Sequence, residues 1–210
     1  MVESSITRTD ETALAIRRIQ WFTIVWMAIE VAVAFIAAIQ THSVALAAFG
    51  GDSAIELLSA AVVLARFHSA RSITEKLASK LTGWLLVSLA IYIAAGSIYT
   101  LIASESKPKP SYLGIGLLFA AAVVMPWLAR RKRALAIATN SFALRADAAQ
   151  SSICSYLSWI ALAGLLLNAV LHASWADPVA ALGLLPIVIK EAKESFHGRP
   201  CDCDSQAYTL

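Results

Sequence analysis

Charged residues make up only 15% of this chain of 210 residues, whereas hydrophobic residues make up 59%. Soluble domains average about 25% charged residues, and a soluble fold of this size hides only about 70% of its surface. The excess apolar side chains would therefore face water in a soluble fold, and a composition this apolar excludes intrinsic disorder. We expect an integral membrane protein, because lipid is the solvent that suits such a surface.

Cysteines and catalytic motifs are also scarce. The chain has three cysteines, which form no even set, so no disulfide framework is expected. The sequence contains no P-loop, no His-Glu-x-x-His string and no nucleophile with a paired base. We therefore expect neither enzymatic activity nor a resident cofactor. The basic run at 130–133 is accounted for by membrane topology, so no nucleic-acid partner is expected.

Six apolar segments predict an all-α integral membrane protein with six transmembrane helices. Each segment is close to the roughly 20 residues that one bilayer crossing needs. The segments are 21–40, 43–67, 82–104, 111–129, 141–170 and 174–193. The predicted organisation is an N-terminal segment at 1–20, a six-helix transmembrane domain at 21–193 and a short cysteine-containing tail at 194–210.

The positions of Lys and Arg predict the orientation. Of the 17 Lys and Arg residues, 14 lie in the N-terminal segment, in or beside the loops after the second and fourth helices, and from the end of the sixth helix onward. Lys107 and Lys109 lie in the loop after the third helix, and Arg145 falls inside a helix. Basic residues are retained on the cytoplasmic side, so both termini are expected there. We expect a multi-pass protein of the cell membrane that contacts lipid.

An internal repeat relates the second and fifth predicted helices. Ser43–Glu56 aligns with Ser141–Cys154, and six of the 14 aligned positions are identical. Small and apolar residues coincide easily in membrane helices, which is one explanation of the match. The other is that the two helices are counterparts that face each other across one site, as repeats in transporters often do.

Five of the acidic residues within the apolar segments are candidates for function, because an unpaired charge there costs several kcal/mol. These residues are Glu30, Asp52, Glu56, Asp147 and Asp177. Asp177 precedes Pro178 at an expected helix start, which favours a structural role. Asp147 is expected to be neutralised by Arg145 near another helix start.

The pair Asp52 and Glu56 is spaced four residues apart, which places both carboxylates on one helical face. Their repulsion requires shared protons or a cation. The repeat places Gln150 and Cys154 at the matching positions, again four apart. Two carboxylates, an amide oxygen and a thiolate on facing helices can enclose a four-coordinate cation. We favour a metal site over a protonated carboxyl pair that only joins two helices.

Three stretches resemble the cation diffusion facilitators, six-helix exporters of divalent transition metals. They are Ser43–Glu56, Ala143–Cys154 with Ala-Leu-x-Ala-Asp, and Trp175–Lys190 with Ala-Asp-Pro-x-Ala-Ala-Leu. Glu30 also fits the family pattern, and the resemblance covers residues 15–195. It implies that the transport site falls on Asp52, Glu56, Gln150 and Cys154, where the family usually has Asp, Asp, His and Asp. Glu30, Asp147 and Asp177 become accessory or structural candidates.

The resemblance implies divalent metal efflux by proton antiport, with Zn²⁺ preferred and Cd²⁺, Co²⁺ and Fe²⁺ as alternatives. It also implies a homodimer, held here by the helices because the family's cytoplasmic metal-binding domain is not expected in this short form. The alternative is a membrane metal sensor or accessory subunit that does not transport. Weak metal candidates in the loops and tail are His68, His197, Cys201 and Cys203.

Overall fold

The computed structural model describes residues 2–68, 75–102, 107–139 and 141–197. In these ranges the chain forms six α-helices and no strand, which confirms the all-α prediction and the helix count. The helices are α1 (Val2–Thr41), α2 (Val44–His68), α3 (Glu75–Ile102), α4 (Tyr112–Thr139), α5 (Phe142–Leu171) and α6 (Ala176–His197).

Four helices within the described ranges are long and apolar enough to cross a membrane. Their candidate spans are Leu14–Thr41, Lys80–Ile102, Tyr112–Thr139 and Asp147–Leu171. The other two helices, α2 and α6, carry ionisable residues along their lengths and are not among these four. Length and composition therefore support a membrane protein, with four spans where the hydropathy pattern predicts six.

The polarity of the molecule is reversed relative to that of a soluble domain. Large apolar side chains face outward, and Ile39, Ile102 and Val170 are 74%, 78% and 70% exposed. The interior holds Glu30, Asp52 and other ionisable side chains that are almost fully buried. An apolar exterior around a polar interior suits a bundle surrounded by lipid, because charged groups then avoid the hydrocarbon.

The central helix of the bundle is α2. It packs against α1, α3, α5 and α6, whereas α4 packs mainly against α5 and α1. Every residue from 43 to 50 is buried, so the first part of α2 is enclosed on all sides. A polar side chain on α2 therefore faces other helices and not lipid, which places its carboxylates inside the protein.

Two tight turns join α1 to α2 and α5 to α6, as the short predicted connections require. His42 and His172 adopt left-handed backbone conformations, with φ of 55° and 52°. A residue in this conformation after the last helical turn reverses the chain direction. Both side chains are exposed. Helices α1 and α2 and helices α5 and α6 thus form two hairpins, and the first helix of each ends in the same way.

The fourth helix is longer than the sequence predicts. The prediction ended the helix at 129 and assigned 130–140 to a basic cytoplasmic loop, but α4 continues to Thr139. Hydropathy falls at the run of Arg and Lys, whereas helix propensity does not, because Arg, Lys, Ala and Leu all favour helix. The helix thus extends past its most apolar part. In the same way α1 begins at Val2, well before the predicted start at 21.

The helices α2 and α5 run in opposite directions. Lys109 N donates to Thr41 O at 2.9 Å, and Asn168 Nδ2 donates to Pro108 O at 3.2 Å. These bonds gather the end of α1, the end of α5 and the loop before α4 at one end of the bundle. Since α2 begins where α1 ends, α2 starts at the end of the bundle where α5 finishes.

The repeat is present in the structure as a pair of identically capped helices. The Ser43 hydroxyl accepts from Leu46 N at 3.1 Å, and the Ser141 hydroxyl accepts from Leu144 N at 3.4 Å. The aligned residues thus occupy the same cap positions, at opposite ends of the bundle. An inverted repeat of this kind is found in many secondary transporters.

Candidate metal centre

Three of the four predicted ligands lie together in the interior. Asp52 is 1% exposed, and Glu56 and Cys154 are fully buried. The Cys154 side chain on α5 lies beside the carboxyl groups of Asp52 and Glu56 on α2. Gln150 is buried one helical turn earlier on α5. The structure thus brings Asp52, Glu56 and Cys154 together, with Gln150 next to them along the helix.

The antiparallel repeat explains why these side chains meet. Glu56 and Cys154 each lie 13 positions after the serine that caps their helix. At 1.5 Å per residue, each is about 20 Å from its own end of the bundle. Because α2 has 25 residues and spans about 37 Å, equal depths from opposite ends coincide near the middle. The site therefore lies deep in the bundle.

Several polar atoms of the site are buried without a hydrogen-bond partner among the described residues. They are both carboxyl oxygens of Asp52, the Oε2 atom of Glu56 and the Nε2 atom of Gln150. A buried polar atom without a partner costs about 1–3 kcal/mol, and a charged one costs more. The Cys154 thiol beside Asp52 and Glu56 offsets only part of this cost, as is expected of a site that binds a cation.

The candidate ligands lie near one another but do not surround a common point. Over the described part of the chain, no group of three or more His, Cys, Asp or Glu side chains is placed to hold a metal ion. The donors would suit a cation of borderline softness, since two carboxylates and a thiolate combine oxygen and sulfur. Loading of such an ion therefore requires the side chains to turn toward a common point.

A buried lysine that the sequence analysis placed in a loop contacts this site. Lys132 on α4 is fully buried, and its Nζ lies 3.5 Å from Glu56 Oε1 and 3.0 Å from Asp147 Oδ2. It also donates to Ser151 Oγ at 2.9 Å, and that hydroxyl donates to Glu56 Oε1. The assignment of Lys132 to a cytoplasmic loop is therefore wrong.

The helical periodicity of α4 contains the signal for Lys132. Met125, Leu128, Ala129 and Ala136 are buried on one stripe of the helix, and Lys132 occupies the same stripe. Its neighbours Arg130, Arg131 and Arg133 are exposed. Once the helix continues past 129, the spacing of three and four residues directs Lys132 inward. The buried position of Lys132 was not predicted because hydropathy ends the predicted helix before the basic run.

Asp147 belongs to the same network. The sequence predicts that Arg145 neutralises it, but its carboxyl Oδ2 pairs with Lys132 and accepts from Gln20 Nε2 at 2.7 Å. Arg145 is exposed, whereas Asp147 is fully buried. The reason is geometric, because residues two apart on a helix point to different sides. Asp147 is thus a partner of the site's buried lysine.

Glu30 of α1 lies next to the site with both oxygens occupied. Trp26 Nε1 donates to Glu30 Oε1 at 2.5 Å, and Ser53 Oγ donates to Oε2 at 3.1 Å. The carboxylate is close enough to Asp52 and Glu56 to interact electrostatically. Because both its oxygens are already bonded, Glu30 suits the accessory role predicted for it better than that of a ligand.

Asp177 has the structural role that the sequence favours. Its Oδ1 accepts from the Ser43 hydroxyl at 2.5 Å, and its Oδ2 accepts from Val44 N at 2.9 Å and from Ala45 N at 3.4 Å. The first amides of a helix lack partners within the helix. A residue of α6 thus caps α2, and its carboxylate is occupied by these bonds.

Glu191 is a functional candidate that the sequence analysis missed. It lies on α6, is 7% exposed, and its Oε2 atom has no hydrogen-bond partner in the described ranges. It is close enough to Asp52 and Glu56 to interact with both. Its position near the end of the last predicted span suggests a headgroup contact. The packing of α6 against α3, α5 and α2 directs it inward.

The weak metal candidates of the loops and tail are not among the side chains that the structure describes. Cys201 and Cys203 lie outside the described residues. His68 and His197 are the last residues of α2 and α6, and only their backbones are described. These four assignments remain predictions.

Comparison with known proteins gives no independent assignment. No family model matches the chain, and no curated protein matches it. The resemblance to the cation diffusion facilitators therefore stays a prediction, based on the motifs at Ser43–Glu56, Ala143–Cys154 and Trp175–Lys190. The physical case for a function depends on the buried groups of α2, α4, α5 and α6.

Proposed function

We propose that this protein moves divalent transition-metal ions across a cell membrane, with the ion bound between α2 and α5. The observation that carries the proposal is the meeting of Asp52, Glu56 and Cys154 in the interior, with both oxygens of Asp52 unpartnered among the described residues. A carboxylate that is buried without a compensating partner, as Asp52 is, is costly. A transported cation is the group that offsets this cost.

The proposed mechanism is exchange of the ion for protons. Ligands must lose their protons to bind a metal, so an ion entering from the cytoplasm displaces protons from Asp52, Glu56 and Cys154. Protons arriving from the other side return to the same groups and release the ion outward. The antiparallel pair of α2 and α5 with its repeated sequence supports alternating access, because inverted repeats flank the substrate site in many secondary transporters.

The proposed cargo is Zn²⁺ first, then Cd²⁺, Co²⁺ and Fe²⁺. A mixed oxygen and sulfur set suits zinc, and the thiolate favours softer ions over Mn²⁺ and Mg²⁺. We further propose six spans, as the apolar segments predict, and cytoplasmic termini, as the distribution of Lys and Arg predicts. The resemblance adds a homodimer to this proposal. In this proposal the chain acts as a transporter and has no enzymatic reaction.

Transport by purified protein in liposomes tests the proposal. Vesicles loaded with a zinc-sensitive dye are given external Zn²⁺ with and without an imposed pH gradient. We expect uptake that depends on the gradient in the wild type and in Ser88→Ala, which alters an exposed residue of α3. We expect none in Asp52→Ala. Equal uptake by a well-inserted Asp52→Ala variant would remove the basis of the proposal.

A second candidate function is a membrane metal sensor or accessory subunit that does not transport. The observation that favours it is the contact of Lys132 with Glu56, because one proposed ligand is already paired with a cation inside the protein. The two functions differ in the liposome measurement. A sensor binds Zn²⁺ in detergent, loses that binding in Asp52→Ala, and shows no uptake in either form.

A further inference from the structure

The side chain of Lys132 lies between two carboxylates. Its Nζ is 3.0 Å from Asp147 Oδ2 and 3.5 Å from Glu56 Oε1, and all three side chains are fully buried. Asp147 receives a further bond from Gln20, while the Ser151 hydroxyl bridges Lys132 to Glu56. The ammonium group is thus held more closely by Asp147, which gives it a second partner when Glu56 is engaged elsewhere.

The two oxygens of Glu56 have different surroundings. Oε1 faces Ser151 and Lys132, whereas Oε2 is buried without a hydrogen-bond partner in the described ranges. The Glu56 carboxyl group also lies near Cys154 and Asp52. The Glu56 carboxylate therefore lies between the Lys132 ammonium group and the proposed cargo site. A change of charge at either place alters the electrostatic potential at the other.

Charge around the site is strongly unequal. Among the residues whose side chains the structure describes, Lys132 is the only buried Lys or Arg. The buried acidic residues are Glu30, Asp52, Glu56, Asp147, Asp177 and Glu191. Those beside Glu56 require positive charge when they are ionised, and Lys132 provides part of it. A divalent ion at Asp52 and Glu56 would provide more and would repel the ammonium group.

We propose that Lys132 is an internal counter-cation that competes with the transported ion for Glu56. In the empty site it contacts Glu56, and when a divalent cation binds it withdraws to Asp147. Lys132 is then a positioning residue that sets the affinity of the site, weakening the binding of the ion so that it can leave. This inference rests on the proposed function, since it requires a cation at Asp52 and Glu56.

Two substitutions on opposite sides of the lysine test the proposal by the direction of their effects. Lys132→Met removes the competitor, so Zn²⁺ should bind at least about tenfold tighter. Asp147→Asn removes the alternative partner while keeping an acceptor for Gln20, so Lys132 stays on Glu56 and Zn²⁺ should bind at least about tenfold weaker. A structural role alone would weaken binding in both.

The measurement is Zn²⁺ affinity of detergent-solubilised protein, obtained by competition with a fluorescent chelator. Arg130→Met is the matched control, because it removes one positive charge from an exposed position on the same helix. Its affinity should equal that of the wild type. Removing one partner of a buried pair can prevent folding. The double variant Lys132→Met/Asp147→Asn removes one positive and one negative charge together, which leaves the net charge beside Glu56 unchanged, and it should also bind tighter than the wild type.

Each outcome separates this inference from the proposed function. If the wild type binds Zn²⁺ and neither folded Lys132→Met nor the double variant binds tighter, the role of Lys132 is refuted and the metal site stands. If only the lysine variants bind, the counter-cation role is supported, and the wild-type site is permanently occupied by Lys132, which refutes transport. If no variant binds Zn²⁺, both proposals fail.

Discussion

The carboxylate of Asp177 on α6 accepts a hydrogen bond from the Ser43 hydroxyl at 2.5 Å, 134 positions away in the sequence. Through Ser43 and two backbone amides, the last helix caps the central one. This contact fixes the start of α2, and therefore the depth at which Asp52 and Glu56 enter the bundle. A short motif near the end of the chain thus positions the proposed metal site without touching it.

Replacing Asp177 should destabilise the fold and leave the ligands intact. We expect Asp177→Ala to lower the free energy of unfolding by about 1–3 kcal/mol, because buried donors at the start of α2 lose their acceptor. Asp177→Asn keeps one acceptor oxygen and should recover part of the loss. Thermal unfolding in detergent measures both. A variant that unfolds like the wild type but no longer binds Zn²⁺ would make Asp177 a ligand.

The two acidic residues of α2 should differ in their effects on stability. Asp52→Ala removes a carboxylate with no partner in the described contacts, so the metal-free protein should unfold at the same temperature or higher. Glu56→Ala removes an acceptor of the Ser151 hydroxyl and one of the two carboxylates that contact Lys132, and should cost about 1–3 kcal/mol. Both should abolish Zn²⁺ binding. Equal destabilisation by the two variants would contradict the difference in their contacts.

Cys154 should determine which ions are preferred. Cys154→Ala removes a soft ligand, so Cd²⁺ affinity should fall more than Mn²⁺ affinity, and Cys154→Asp should shift the preference toward harder ions. Competition binding with the two ions measures the ratio. The alternative is that Cys154 is a small apolar residue in the α2–α5 packing. An unchanged ratio of Cd²⁺ to Mn²⁺ affinity in Cys154→Ala would favour that alternative. Asp52 and Glu56 would then be the remaining proposed ligands.

The contact between α5 and α6 depends on a glycine. A Cβ atom added at Gly164 would overlap with the Cβ of Ala180, whereas one added at Gly116 on α4 has nothing within 4 Å. Gly164→Ala should therefore destabilise the bundle by about 1–3 kcal/mol. Gly116→Ala should be neutral or slightly stabilising, because alanine favours helix. Thermal unfolding of both variants tests this. Equal transition temperatures would show that α5 and α6 are not closely packed at Gly164.

The orientation can be tested at two positions that are both exposed. In a background without native cysteines, Lys107→Cys and Arg130→Cys are labelled in intact cells with a membrane-impermeant maleimide. The predicted topology places position 107 outside and position 130 in the cytoplasm, so only Lys107→Cys should react. Because both side chains are exposed in the structure, burial does not account for a difference. The reverse pattern would invert the proposed direction of transport.

The sequence predicts the helical framework well because that framework depends on local properties. Hydropathy locates six helices, and the short connections at His42 and His172 mark the two hairpins. The boundaries fail where hydropathy and helix propensity diverge. The basic residues after 129 end an apolar run but not a helix, so α4 extends to Thr139. Helix propensity, which is also local, would have corrected this boundary.

The sequence by itself determined which residues are candidates for the site, because acids in apolar helices and a repeated spacing of four are visible in one dimension. Only the tertiary structure decided which of them meet. It brings Cys154 to Asp52 and Glu56, directs Lys132 from α4 and Glu191 from α6 toward the same carboxylates, and occupies Asp177 in a helix cap. The physical reason is that charge pairing in a buried site depends on distances between helices, which no local pattern encodes.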